Sequence, residues 1–192
     1  MVNIFFIPII LTILRIILTP IFLFLFLAGE QFLLRAIFVF SIAVVSDFAD
    51  GHFARYYKVT SELGSFLDPL ADKILIMTAF FTFYFSEIIP LWMVLVILGR
   101  DLFVTILRMV MTKYDFCLQT SYLAKSKTVI QFMAIYLIFA YLIFNSWSSS
   151  QFWVSLLSMI VNIFMYIVVF VTLWSGIDYL FKNRKFFNDR TI

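Results

Sequence analysis

Four aspartates, Asp47, Asp50, Asp68 and Asp72, stand in stretches that are otherwise almost wholly apolar. With their neighbours they form the string Asp47-x2-Asp50-Gly51-x2-Ala54-Arg55-x8-Gly64-x3-Asp68-x3-Asp72. Residues three or four apart on a helix share a face. Asp47 and Asp50 therefore form one pair, and Asp68 and Asp72 form another on the next helix. A short connection makes the two helices antiparallel. With Arg55 and Gly64 level at the turn, Asp47 faces Asp72 in depth and Asp50 faces Asp68. The carboxylates then converge in two layers, the deeper one about 12 Å below the turn at ~1.5 Å per residue.

Four converging carboxylates repel one another in a low dielectric and ionise together only if cations lie among them. Hard oxygen donors suit Mg²⁺ or Mn²⁺. Two such ions would grip a diphosphate and stabilise both the attacking and the leaving oxygen. Gly51, Ala54 and Gly64 leave room for a bulky ligand to approach the backbone, and Arg55 offers a planar fork for a phosphate or a base carbonyl. The plainer alternative is that the acids pair with Lys73, Arg100 or Arg108 to hold helices together. Helix glue needs neither four acids on two adjoining faces nor glycines between them.

The elements that must position these groups follow from composition. The 192-residue chain is 64% hydrophobic and only 13% charged, whereas a soluble domain carries about 25% charged residues. Too little polar surface remains to cover a water-soluble globule, so the chain belongs in a bilayer. Six stretches approach the roughly 20 apolar residues a spanning helix needs: Ile7–Ala28, Leu33–Ala54, Gly64–Phe85, Leu91–Met111, Thr128–Phe144 and Phe152–Leu180. The reading is an all-α integral membrane protein of six transmembrane helices, a single domain over residues 1–192, with no cleavable signal peptide. The single cysteine, Cys117, allows no internal disulfide and reads as a packing residue. His52 reads as a bystander within the string.

Loops on one side of the membrane receive Lys58, Lys113, Lys125, Lys127, Lys182, Arg184, Lys185 and Arg190, while the opposite loops hold Glu30 and Glu87. By the positive-inside rule the basic side is cytoplasmic, so both termini are cytoplasmic. Arg35 lies near the outer end and snorkels there. Arg100 and Arg108 in the fourth span, with Lys125 and Lys127 at the start of the fifth, form a cationic pocket for an anionic head group. For the lysines the alternative is ordinary positive-inside bias. For Arg100 it is pairing with an acid on a neighbouring span, because Asp101, its sequence neighbour, points about 100° away around the helix.

The aspartate string resembles in full the signature of the CDP-alcohol phosphatidyltransferase family, with every fixed residue and every spacing in agreement. The resemblance implies six transmembrane helices and a homodimer. It implies metal coordination by Asp47, Asp50, Asp68 and Asp72, with Asp72 also the general base. It further implies contact with the CDP moiety of CDP-diacylglycerol by Asp47, Gly51, Ala54, Arg55 and Gly64. Flanking segments resemble the phosphatidylglycerophosphate synthase group within the family. These are Pro8-x2-Leu11-Thr12-x2-Arg15-x3-Thr19-Pro20, Asp68-Pro69-Leu70-Ala71-Asp72-Lys73, Gly99-Arg100-Asp101-x3-Thr105-x2-Arg108 and Leu123-Ala124-Lys125-Ser126-Lys127-Thr128. Two positions depart from that group: Ile9 replaces a usual Asn, and Ala124 a usual Gly.

The implied acceptor is glycerol 3-phosphate, held by Arg100, Arg108 and Lys125. The site faces the cytoplasm from a multi-pass protein of the inner membrane, and no nucleic-acid partner is expected. Cardiolipin synthases share the Asp-Pro-Leu-Ala-Asp-Lys string and are the alternative within the family. An intramembrane prenyltransferase would need more spans and a longer separation between its motifs. A divalent-cation transporter would need acids along a route to both membrane faces.

Overall fold

The computed structural model describes the backbone of residues 7–57, 62–114, 122–148, 150–184 and 186, and the side chains of residues 12–46, 73–114, 126–148, 150–184 and 186. These residues form six α-helices: α1 (Ile7–Leu27), α2 (Leu33–Tyr57), α3 (Glu62–Phe85), α4 (Leu91–Lys113), α5 (Tyr122–Trp147) and α6 (Gln151–Lys182). One 3₁₀ turn, Glu30–Phe32, precedes α2, and there is no strand among the described residues. Lys58, Lys185 and Arg190 lie outside the described residues. The chain resolves into two compact units, Met1–Ser86 and Glu87–Ile192.

In the first unit α1 packs against both α2 and α3. The helix period explains why. On α2 the buried positions Ala36, Phe40 and Ala43 recur every three or four residues, and on α3 Leu75, Ala79 and Phe83 recur every four, with Phe80 beside Ala79. The alanines let backbones approach, as small residues do between membrane helices, and the phenylalanines fill the space between them. Phe22 of α1 lies 5.3 Å from the ring of Phe40, and Phe26 lies 5.9 Å from Phe83. Both pairs are tilted or edge-on, as ring quadrupoles prefer. Gly29, at φ 109°, takes the left-handed backbone that turns the chain out of α1. Its carbonyl accepts the Phe32 N–H at 3.0 Å. Arg35 is exposed, with its guanidinium carbon 5.3 Å from the Phe32 ring centroid.

In the second unit α6 packs against both α4 and α5. Met93, Ile97 and Val104 of α4, Ala134, Ile135 and Ile138 of α5, and Val161, Met165 and Val168 of α6 form its apolar core. The Trp92 ring meets Tyr166 at 6.0 Å, while the Tyr179 hydroxyl donates to Sδ of Met111 at 3.9 Å. Both residue numbers rise together along these contacts, so α4 and α6 run parallel and α5 carries the chain back.

The outward faces are apolar: Phe24, Phe38 and Phe170 are each at least two-thirds exposed. Among the described residues, two helical stretches, Ser126–Trp147 and Gln151–Lys182, are long and apolar enough to cross a bilayer. Only 28% and 22% of their most apolar windows are buried. A core helix of a soluble protein would hide such a surface. Thr12–Leu27 and Lys73–Phe85 are apolar but shorter. The described residues are thus all-helical, in six α-helices, as the apolar segmentation predicts. α5 begins at Tyr122 rather than Thr128, because Lys125, Ser126 and Lys127 lie within its first turns.

Candidate active site

The aspartate string occupies the facing ends of α2 and α3. Asp47, Asp50, Gly51, Ala54 and Arg55 lie in the last turns of α2, and Gly64, Asp68 and Asp72 in the first turns of α3. Both helices are continuous through these positions, so the i,i+3 and i,i+4 pairings hold on real helices. The connection spans residues 58–61. Measured from the helix ends beside it, Asp50 and Asp68 lie about 10 Å along their helices, and Asp47 and Asp72 about 15 Å, at ~1.5 Å per residue. The two layers expected from the spacing therefore have matching depths. The side chains of residues 47–72 lie outside the described ones.

The second unit carries the expected cations. Arg100 and Arg108 stand on α4, and Lys125 and Lys127 in the first turns of α5. Arg108 is exposed, and the Lys125 side chain lies outside the described ones. Lys127 is buried and Arg100 half-buried, and the two meet at one acid. Asp101 Oδ1 accepts from Arg100 Nη1 at 3.3 Å and also from Lys127 Nζ. The side chains of Arg100, Asp101 and Lys127 are all about nine-tenths buried.

This corrects the sequence expectation for Asp101. Neighbouring Cβ atoms do diverge by about 100°, but the three methylenes of arginine carry Nη1 back around the helix to the adjacent carboxylate. It also gives Lys127 a specific partner, where positive-inside bias alone would leave it facing water.

Arg100 is only partly satisfied. Its Nε and Nη2 are buried with no hydrogen-bond partner among the described residues. Its stem runs over Gly176 of α6, where a Cβ would lie 3.2 Å from Arg100 Cγ. Arg100 also lines a groove between α4 and α6, with Leu95, Phe103, Leu173 and Gly176 among its walls. Two cations thus share one carboxylate oxygen. Buried donors left without a partner are costly. An anion with oxygens in one plane would complete the guanidinium fork.

Residues 5–174 match the family model described as CDP-alcohol phosphatidyltransferase. The chain belongs to the CDP-alcohol phosphatidyltransferase family. Among its relatives in that family is the CDP-diacylglycerol–glycerol-3-phosphate 3-phosphatidyltransferase of Bacillus subtilis (strain 168), 31% identical over 90% of this chain and 92% of the relative. The Haemophilus influenzae protein of the same name is 32% identical over 91% of each chain. A CMP-forming cardiolipin synthase of Streptomyces coelicolor is 34% identical over 64% of this chain and 59% of that protein. This member of the CDP-alcohol phosphatidyltransferase family is accordingly an enzyme, as the aspartate string and its spacing indicate.

Gln131 of α5 and Thr172 of α6 escaped the sequence reading. Both are buried, and the Gln131 amide and the Thr172 hydroxyl have no partner among the described residues. Gln131 stands one turn from Lys127, and Thr172 one turn from Gly176. A search for polar residues at helical spacing from the basic ones would have found them.

Proposed function

We propose that this chain transfers the phosphatidyl group of CDP-diacylglycerol to the 1-hydroxyl of sn-glycerol 3-phosphate, giving phosphatidylglycerophosphate and CMP. The observation that carries this reading is that relatives named for the reaction align over nine-tenths of both chains. The cardiolipin synthase covers less of either chain. A cationic cluster with a guanidinium edge that has no partner among the described residues suits a phosphorylated acceptor.

Asp47, Asp50, Asp68 and Asp72 would hold two Mg²⁺ or Mn²⁺ ions. Bound there, the metals would neutralise charge on the diphosphate and on the attacking and leaving oxygens. Arg55 forks onto the CDP moiety, and Gly51, Ala54 and Gly64 give it room beside Asp47. Arg100, Arg108 and Lys125 bind the acceptor phosphate. Asp72 takes the proton of the acceptor hydroxyl. That oxygen then bonds to the lipid-side phosphorus, the bond between this phosphorus and the bridging oxygen breaks, and CMP departs with the electron pair.

All six helices cross the membrane in this reading, with both termini and the active site cytoplasmic, in the inner membrane and as a homodimer. The excess of Lys and Arg on one side supports that orientation. The lipid then approaches through the bilayer and the soluble acceptor from water.

The test is CMP release by the purified protein. Release from CDP-diacylglycerol should require both glycerol 3-phosphate and a divalent cation, and should stop with EDTA. No release under any acceptor, or release undiminished by EDTA, overturns the reading.

A further inference from the structure

We infer that Asp101 is a positioning residue of the acceptor site, holding Arg100 and Lys127 on one carboxylate oxygen so that Arg100 presents its Nε–H and Nη2 edge to the acceptor's phosphate. The inference rests on the proposed acceptor and adds the device that orients its binding group. Three observations carry it. Asp101 Oδ1 joins Arg100 on its own helix to Lys127 on α5, across 26 residues of sequence. The donors that Arg100 does not give to Asp101, Nε and Nη2, are the ones left buried and without a partner among the described residues. Gly176 seats the arginine stem from a third helix, with Cγ and Nε 3.2 and 3.6 Å from where a Cβ would stand.

The chemistry of the set supports phosphate. Asp101 engages Arg100 through Nη1 and leaves Nε and Nη2 as a planar pair of N–H donors on a charged guanidinium. A phosphate oxygen pair matches that fork, and the bonds are charge-assisted. Without Asp101 the guanidinium keeps its charge but not its direction. The two cations would also repel, turning Arg100 away from its seat. Asp101 therefore governs acceptor binding without touching the acceptor. Its loss should be felt in one substrate's KM and not the other's.

The test uses purified full-length protein in lipid–detergent micelles, with KM measured separately for each substrate. Asp101→Asn should raise KM for glycerol 3-phosphate by about tenfold or more, the equivalent of about 1.4 kcal/mol, with KM for CDP-diacylglycerol within about twofold of wild type on the same scale. Asp101→Glu keeps the charge and should recover most of the loss. The double variant Asp101→Asn with Lys127→Met keeps the cluster's net charge, so it guards against failure to fold. It should still show the raised acceptor KM. Gly176→Ala should raise the same KM by a smaller factor.

A purely structural role predicts that both KM values move together, or that only the yield of folded protein falls. Either result, or an unchanged acceptor KM in the folded double variant, overturns the inference. If the wild type instead uses a different acceptor, the proposed acceptor fails. The same KM comparison on that molecule then decides the role of Asp101.

Discussion

Replacing Arg100 by lysine keeps a positive charge on α4 and removes the guanidinium fork. In the native protein one nitrogen, Nη1, is committed to Asp101 at 3.3 Å, while Nε and Nη2 have no partner among the described residues. A lysine has one ammonium at this place, and the Asp101 carboxylate, already paired with Lys127, captures it. The acceptor phosphate then loses one or two charge-assisted hydrogen bonds. Each is worth about 1.5–3 kcal/mol, so loss of a single bond raises KM for glycerol 3-phosphate by roughly 10–100-fold, at about 1.4 kcal/mol per factor of ten. Because the buried charge is retained, the folded fraction should match wild type. The assay is initial-rate CMP release at saturating CDP-diacylglycerol over a range of acceptor concentrations, with the converse titration as control. An acceptor KM within about twofold of wild type, in protein that is folded and turning over, would show that Arg100 serves only to neutralise Asp101.

Asp50→Asn or Asp68→Asn should abolish turnover while leaving thermal stability without metal equal or higher, since removing one carboxylate relieves repulsion; activity and a melting curve in EDTA check both halves. Asp72→Asn should lower kcat by about 10²–10⁴-fold, as expected for loss of a general base, and should still bind CDP-diacylglycerol in a direct binding assay. Ala79→Leu should destabilise the first unit by about 1–3 kcal/mol through overpacking, because Ala79 is fully buried; a lower melting midpoint in detergent is the readout.

Segmentation by apolar length places all six helices, with most ends agreeing within a few residues. α5 differs because Lys125 and Lys127 break hydrophobicity without breaking a helix: neither residue opposes helical backbone, and Lys127 finds a carboxylate inside the bundle. The aspartate string was legible because its two spacings are helical spacings and because carboxylates in apolar stretches need a reason. The Arg100–Asp101–Lys127 cluster was only half legible. The cations stood out, but angular separation along α4 argued against Asp101, and side-chain reach does not appear in a helical wheel. Lys127 lies 26 residues from its partner, and nothing local to either residue reveals that pairing. Gln131 and Thr172 were hidden for a different reason: a neutral polar residue in an apolar span draws notice only once its burial and missing partners are known.

The most direct test of the proposed reaction is a competition. Purified protein is given CDP-diacylglycerol with glycerol 3-phosphate and phosphatidylglycerol together, and the lipid product is identified by mass spectrometry. The expected product is phosphatidylglycerophosphate, formed in step with CMP and lost in the Asp72→Asn variant. Cardiolipin as the main product, or phosphatidylglycerophosphate formed without CMP, would contradict it.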